Sequence, residues 1–226
     1  MASSYPPALP HGPVREVLPG VHLVTGTMRF GMGFSIPRNM TILKSGDTLT
    51  LVNSVRLSPE GEAALDALGR VTDVVRLGGF HGMDDPYYKA RYQPKMWAPG
   101  GLEGYDTFGE GHSPVGEGYA FQAINCAEAV LLAPGGLLIT CDAFQNWTKP
   151  TFDGCSFLGR QFMRVAGFGP SFVGKFWLKR AGAGAERDLR HVAELPFERV
   201  IAGHGEPIQR DGQAELRRAI SAAFQA

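Results

Sequence analysis

The segment Glu128-Ala-Val-Leu-Leu-Ala-Pro-Gly-Gly-Leu-Leu-Ile-Thr-Cys-Asp142 contains the clearest strand signal in the chain. Two apolar runs, Glu128 to Ala133 and Leu137 to Cys141, stand on either side of the turn sequence Pro134-Gly135-Gly136. Apolar runs on both sides of a tight turn are typical of a β-hairpin. The second arm ends at Asp142, so the hairpin predicts a carboxylate directly after a buried strand.

Two other apolar runs end in residues that can bind a metal. Val74-Val-Arg-Leu-Gly-Gly-Phe-His-Gly-Met-Asp-Asp85 places His81, Asp84 and Asp85 after a Gly pair that permits a sharp turn. Val200-Ile-Ala-Gly-His-Gly-Glu-Pro207 places His204 between two glycines. A polar loop after a strand is a common position for functional residues. The same residues also fit purely structural roles. In that interpretation His81, Asp84 and Asp85 form a solvated turn, Asp142 caps the turn after its strand, and His204 is a turn residue.

The remaining patterns predict an alternation of strands and helices. An antiparallel meander is expected first, then a helix that Ser58-Pro59 opens and Gly69 closes, because Ser is a good N-cap and Pro is tolerated at the first helical position. The predicted strands are Val21–Thr25, Phe34–Lys44, Leu49–Val55, Thr72–Leu77, Lys95–Ala98 and Phe197–Ala202. Further helices are predicted over Pro86–Arg91, Ser156–Val165, Ser171–Arg180, Ala185–Glu194 and Asp211–Phe224.

Two segments are expected to stand apart from this alternation. Residues 100–118 are rich in glycine, are predicted to form a long loop and contain His112. Residues 143–195 carry many aromatic residues with basic residues between them, and we expect a helical insertion that covers a cleft. Such an apolar surface suits a substrate pocket or a homodimer interface.

Composition narrows the classes of function. Lys plus Arg and Asp plus Glu number 22 each, so the overall charge favours neither a nucleic acid nor a membrane as partner, although a local basic patch is not excluded. The three cysteines contain no C-x-x-C pair, which fits a reducing cytoplasm. No signal peptide is recognised. We therefore expect a single cytoplasmic domain over residues 1–226, with residues 1–13 as an N-terminal arm.

The order of these elements resembles the metallo-β-lactamase fold superfamily. The most specific points are Leu137-Leu-Ile-Thr-Cys-Asp142, which looks like the strand that ends in a metal-bridging Asp, and Val200–Pro207, which looks like the late Gly-His-Gly loop. The resemblance covers roughly Val14 to the C-terminus. It implies an α/β protein of the αββα type, with two mixed sheets packed face to face and helices on both outer faces.

The chain departs from the family's His-x-His-x-Asp-His motif. One register matches His81 to the second His, with Gly79, Met83 and Asp84 in place of the first His, the Asp and the last His. Another register matches His81 to the first His and Asp85 to the Asp. A further His of the family is replaced by Asn125 or Glu128, unless His112 serves after a loop insertion. The resemblance therefore implies a reduced site.

The resulting prediction for the site has His81, Asp85, Asp142 and His204 as metal ligands. Asp84 or Asp85 would carry protons, and His112 would be an added ligand or a substrate contact. This nitrogen and oxygen set suits Zn²⁺, or alternatively Mn²⁺ or Fe²⁺, with one ion per chain or none.

The predicted function is hydrolysis of a small-molecule ester, thioester, lactone, amide or phosphoester by a metal-bound hydroxide. The alternative is a degenerate, metal-free member that acts as a binding or interaction module. An iron-dependent oxidoreductase of the same fold is a third reading, and nucleic-acid processing finds no support in the charge balance.

Overall fold

The computed structural model describes residues 5–31, 33–100 and 102–224. Seven strands form the first sheet in the order of the chain. They are β1 (Arg15–Leu18), β2 (Val21–Phe30), β3 (Phe34–Ser45), β4 (Thr48–Val52), β5 (Arg70–Val75), β6 (Lys95–Pro99) and β7 (Asp106–Phe108). Strands β1 to β4 pair antiparallel, as the predicted meander requires, and β4 to β7 pair parallel.

A second sheet of four strands follows, with a short two-stranded ribbon beside it. The strands are β8 (Glu117–Ala120), β9 (Ala129–Ala133), β10 (Leu137–Ile139), β11 (Phe144–Gln145), β12 (Phe172–Val173) and β13 (Arg199–Ile201). The sheet order is β13-β10-β9-β8, and β11 pairs with β12. The predicted hairpin is the antiparallel pair β9–β10. Strand β13 joins β10 in parallel, so the carboxyl ends of these two strands lie side by side.

Within the described residues, seven helices connect or flank these strands. They are α1 (Pro59–Leu68), α2 (Asp85–Tyr92), α3 (Lys149–Asp153), α4 (Phe157–Val165), α5 (Lys175–Ala181), α6 (Ala185–Val192) and α7 (Gly212–Phe224). Ser58 caps α1 as its sequence predicts, since the Ser58 side chain accepts a hydrogen bond from the Gly61 N–H. None of the helices in the described ranges is long and apolar enough to cross a bilayer.

The apolar residues divide into layers. Buried side chains of both sheets, such as Leu23 and Val75 from the first and Leu131 and Ile139 from the second, form one cluster between the sheets. A second cluster joins the first sheet to α1 and α2, and a third joins the second sheet to α5, α6 and α7. Two sheets with helices on both outer faces form an αββα sandwich, so the predicted fold class is confirmed.

Two local predictions differ from the structure. Strands β7 and β8 lie within or overlap the segment 100–118 that we expected to be a loop. Their backbones pair with β6 and β9, and such hydrogen bonding does not require apolar side chains. Residues 171–174 are not helical: Ser171 has φ 39°, and Phe172 and Val173 pair with β11 before α5 begins at Lys175.

The N-terminal arm is described from residue 5 onward, and residues 1–4 lie outside the described residues. The Gly12 N–H donates to the Thr25 carbonyl at 2.8 Å, and His11 Nε2 accepts from the Ser58 N–H at 2.7 Å. These contacts attach the arm to β2 and to the start of α1. The division of the chain into one domain with an arm and an insertion stays a prediction.

Candidate metal centre

Three predicted site residues follow three strands that end at one edge of the sandwich. His81 lies in the loop after β5, Asp142 follows β10, and His204 follows β13. Asn39 on β3 fixes the last of these loops, because its side-chain amide donates to the carbonyls of Ala202 and Gly205 at 3.0 and 2.7 Å. The fold thereby brings together side chains that are far apart in the sequence.

The donor atoms of His81, Asp142 and His204 gather within 4.8 Å of one another. Asp142 Oδ1 lies 3.5 Å from His81 Nε2 and 3.4 Å from His204 Nε2. Both imidazole side chains are 5 % exposed and the Asp142 side chain is 15 % exposed. We call these three residues the donor group.

A backbone contact selects the tautomer of His204. Its Nδ1 lies 2.7 Å from the carbonyl oxygen of Pro37, which can only accept a hydrogen bond. The Nδ1–H therefore donates to this carbonyl, and in the neutral ring the lone pair remains on Nε2, the atom that faces Asp142. Metal-binding histidines are commonly oriented by such a second hydrogen bond.

The charge of Asp142 is stabilised by its two neighbours. Burial raises the pKa of this carboxyl, but the positive charges and hydrogen bonds that His81 and His204 supply in their protonated forms outweigh that effect and hold the pKa well below its ordinary value. Asp142 is therefore ionised at neutral pH, as a metal-binding carboxylate has to be.

Glu128 holds the segment that carries Asp142. Its Oε1 accepts hydrogen bonds from the N–H groups of Asp142 and Ala143, each at 2.8 Å. Burial, followed by the charge of Asp142, raises the pKa of Glu128 well above its ordinary value. The sequence offered Glu128 as a replacement for a family histidine, whereas the structure shows it supporting the loop of Asp142.

Replacing Glu128 separates this supporting role from a ligand role. Glu128→Gln retains a carbonyl oxygen for both N–H groups, and we expect it to unfold within about 1 kcal/mol of the wild type. Glu128→Ala leaves two buried donors unpaired and should lower the free energy of unfolding by about 2–4 kcal/mol. Urea unfolding measures both, with Glu117→Ala as an exposed control. Equal losses of free energy of unfolding for Glu128→Gln and Glu128→Ala would contradict the supporting role of Glu128.

Cys141, which precedes Asp142, belongs to the core between the sheets. It is fully buried, and burial raises the pKa of its thiol well above the ordinary value, so the thiol stays protonated. Its Sγ lies 2.6 Å from where a Cβ on residue 78 would stand, which requires glycine there. The structure agrees with the interpretation of Cys141 as a core residue.

Asp84 and Asp85 do not join the donor group, although the sequence predicted a ligand or proton-transfer role for them. Asp84 Oδ2 pairs with the guanidinium of Arg38 and accepts from the Arg56 N–H at 2.7 Å. Asp85 is 1 % exposed, and its two oxygens accept hydrogen bonds from Ser54 and Tyr105, at 2.5 and 2.8 Å. Both carboxylates thus have hydrogen-bond partners in the protein, and neither belongs to the donor group.

His112 and Met83 also lie outside the donor group. His112 is exposed, and its Nδ1 contacts the carbonyl of Glu110 at 2.9 Å in the turn before β8. Met83 is 57 % exposed. The loop that follows β5 therefore contributes a single donor, His81, in either register of the family motif.

Comparisons with known proteins give no match to a family model and no match to a curated protein. Solved structures do match. A metallo-β-lactamase from Erythrobacter litoralis aligns with a TM-score of 0.64 at 13 % identity, covering 94 % of this chain and 92 % of that chain. The metallo-β-lactamase FIM-1 from Pseudomonas aeruginosa, solved in a mono-zinc form, aligns with a TM-score of 0.66 at 14 % identity and covers 96 % and 98 %. DIM-1 metallo-β-lactamase aligns with a TM-score of 0.67 at 10 % identity, covering 95 % of this chain and 100 % of that chain.

The chain has the metallo-β-lactamase fold. The alignments extend over nearly the whole of each chain, which confirms the resemblance inferred from the sequence. At these identities the likeness is one of scaffold, and the chemistry has to be argued from the residues of this chain.

In this metallo-β-lactamase fold the donor group lies in the wall of a cavity of about 490 Å³. The other lining residues are mostly apolar and aromatic. They are Met28, Phe30, Phe34, Ile36, Phe80, Gln145, Trp147, Phe162, Met163, Phe168, Phe176, Trp177 and Arg180. Several belong to the aromatic-rich segment 143–195, so that segment supplies much of the cavity wall.

Two polar groups of the wall stand out. Trp177 is 3 % exposed, and its Nε1–H has no hydrogen-bond partner among residues 5–31, 33–100 and 102–224. Arg180 is exposed, and its guanidinium lies 4.6 Å from the ring centroid of Phe80. Arg180 therefore adds a cation to a largely apolar wall, and the Trp177 Nε1–H is a buried donor within that wall.

The chemistry of the donor group fits a divalent metal ion. Two imidazole nitrogens and one carboxylate oxygen are the ligand types that Zn²⁺ prefers, and three protein ligands leave a coordination position free for water or substrate. The ionised state of Asp142 and the tautomer of His204 both suit this role.

Proposed function

We propose that this chain is a metal-dependent hydrolase of an apolar small molecule, with a single ion held by His81, Asp142 and His204. The convergence of these three donors in the wall of an aromatic cavity carries the proposal. When bound by such a set, Zn²⁺ supplies a water molecule activated for attack at neutral pH. An ester, thioester, lactone, amide or phosphoester is a bond that this chemistry can break.

Residues of the described chain would bind the substrate and position the attacking water. The aromatic wall removes water from an apolar substrate and holds it beside the donor group. His81, Asp142, His204 and Arg180 are the titratable residues among those that line the cavity. Both histidine contacts of Asp142 fall on Oδ1, so Oδ2 would accept a hydrogen bond from the attacking water and orient it.

A binding module without metal is the second candidate. It is favoured by the loop after β5, where Gly79 has no side chain to donate and Met83 is exposed. An apolar cavity alone would serve binding as well as hydrolysis. The two candidates differ in whether hydrolysis returns with a metal after chelation.

The test is an assay of chelator-treated protein on 4-nitrophenyl esters of increasing acyl length, with and without Zn²⁺, Mn²⁺ or Fe²⁺. We expect hydrolysis to return with metal and kcat/KM to rise with acyl length. Phe176→Ala, which shortens the apolar wall, should lower kcat/KM for the longest ester by about tenfold and leave the shortest ester nearly unchanged.

Phe157→Ala is the matched control, because Phe157 is 74 % exposed and does not line the cavity. Protein that binds the long-chain esters but hydrolyses none of them at any metal loading would contradict the hydrolase and support the binding module. Equal losses for Phe176→Ala and Phe157→Ala would contradict the assignment of the cavity as the substrate site.

A further inference from the structure

The chain as a whole has no net charge, but one of its segments is strongly basic. Residues 143–184 contain six Lys or Arg residues and a single acidic residue, Asp153. Asp153 pairs with Lys149 at 2.6 Å and lies 3.7 Å from Arg160. The other cations of this segment have no carboxylate in ion-pair contact within the described ranges.

Helix α4, inside this segment, presents apolar side chains to the outside. Phe157 is 74 % exposed, Leu158 56 % and Val165 89 %. Gly159 and Met163, on the opposite side, are buried. A helix on the surface of a soluble protein normally buries its apolar side and exposes its polar side. In α4 a second apolar side is exposed and has no packing partner among the residues that the structure describes.

This surface continues to the cavity through a row of aromatic contacts. Phe162 of α4 meets Phe34 edge-on at 5.5 Å and stacks on Phe176 at 6.0 Å. Phe34 in turn meets Phe30, at the tip of the β2–β3 hairpin, at 5.5 Å. All four rings line the cavity. The outer side of α4 and the cavity mouth therefore form one apolar surface.

The elements that form this apolar surface also carry exposed cations. Arg164 on α4, Lys175, Lys179 and Arg180 on α5 and Arg29 on β2 are all exposed. None of these five makes an ion pair within the part of the chain that the structure describes. We call the exposed rings and aliphatic side chains of α4, the hairpin tip and these cations the basic apolar face.

The charge of this face selects its occupant. In a symmetric dimer the same patch meets itself, so a second copy would bring the unpaired cations of both chains together. An anionic lipid surface instead neutralises Lys and Arg while its acyl region takes up exposed Phe and Val side chains. We propose that the basic apolar face docks the protein on an anionic lipid surface, with the cavity mouth turned toward the lipid.

This proposal revises the expectation of no membrane partner, which rested on the overall charge. It does not depend on the proposed hydrolase, because none of the residues that carry the argument belongs to the donor group. A protein without metal or activity would dock in the same way.

The test is co-sedimentation of the full chain with vesicles of phosphatidylcholine, with and without phosphatidylserine. We expect binding to the vesicles that contain phosphatidylserine, little binding to the neutral vesicles, and weaker binding as NaCl is raised. Lys175→Glu with Lys179→Glu should weaken binding at least about tenfold, because each cation near an anionic surface contributes about fivefold. Phe157→Ser with Val165→Ser should weaken it by about tenfold as well.

Arg70→Glu with Lys89→Glu is the matched control, since it changes the net charge equally at exposed positions outside the basic apolar face. Retained binding in this control supports a local face. Equal weakening in both charge variants, or equal binding to neutral vesicles, would overturn the proposal. So would a dimer in sedimentation equilibrium that Phe157→Ser with Val165→Ser dissociates, together with no binding of the wild type to vesicles.

Discussion

Protein dialysed against Zn²⁺ and then against metal-free buffer is expected to retain a single ion per chain, and Asp142→Ala is expected to abolish that retention. Asp142 lies between the two imidazoles and supplies the negative charge of the donor group. Changes to residues that only orient a ligand already weaken metal affinity about 10- to 100-fold. Loss of the carboxylate itself should therefore cost more than about 100-fold, and elemental analysis measures it.

His204→Ala should have a similar effect, because it removes a ligand whose tautomer the Pro37 carbonyl fixes. His112→Ala is the matched control, since it removes the same side chain from an exposed turn outside the donor group. We expect it to retain metal as the wild type does. A wild type that binds no metal after dialysis against Zn²⁺, Mn²⁺ and Fe²⁺ would contradict the proposed hydrolase and support the binding module.

Asp84→Ala should lower the free energy of unfolding by about 3 kcal/mol, as measured by urea denaturation. The Arg38 side chain is 5 % exposed, and its guanidinium is paired with the Asp84 carboxylate. Removing the carboxylate leaves a buried cation unpaired, a loss of about 3–5 kcal/mol for a fully buried pair. The Asp84 side chain is 19 % exposed, so we expect the lower end of that range.

Glu186→Ala serves as the control, because its ion pair with Arg190 is at the surface and should change stability by less than about 1 kcal/mol. The loss in free energy of unfolding for Asp84→Asn should lie between those of Asp84→Ala and Glu186→Ala. Asparagine keeps an oxygen for the Arg56 N–H and loses only the charge. If Asp84→Asn unfolded like the wild type and yet lost all hydrolysis, the catalytic role first predicted for Asp84 would be restored.

Strands β2 to β6, β9, β10 and β13 and the positions of Asp142 and His204 could be predicted, because they depend on short segments of sequence. An apolar run that ends in a polar residue shows where a strand stops. The parallel pairing of β10 with β13 then brings the two ends together. His81 was found in the same way, from the run that ends at Gly78-Gly79.

The roles of Asp84 and Asp85 could not be predicted in this way. Their partners Arg38, Ser54 and Tyr105 lie 20 to 46 residues away, and no local pattern indicates such pairing. The role of Glu128 could not be predicted either. Its pKa is raised by burial and by the charge of Asp142, and only the folded chain brings these about. Strands β7 and β8 were missed because hydrogen bonding between backbones carries no apolar periodicity.

The donor group draws on both halves of the sandwich. His81 leaves the seven-stranded sheet, whereas Asp142 and His204 leave the four-stranded sheet. Any ligand that binds all three side chains therefore joins the two sheets at this edge as a cross-link does.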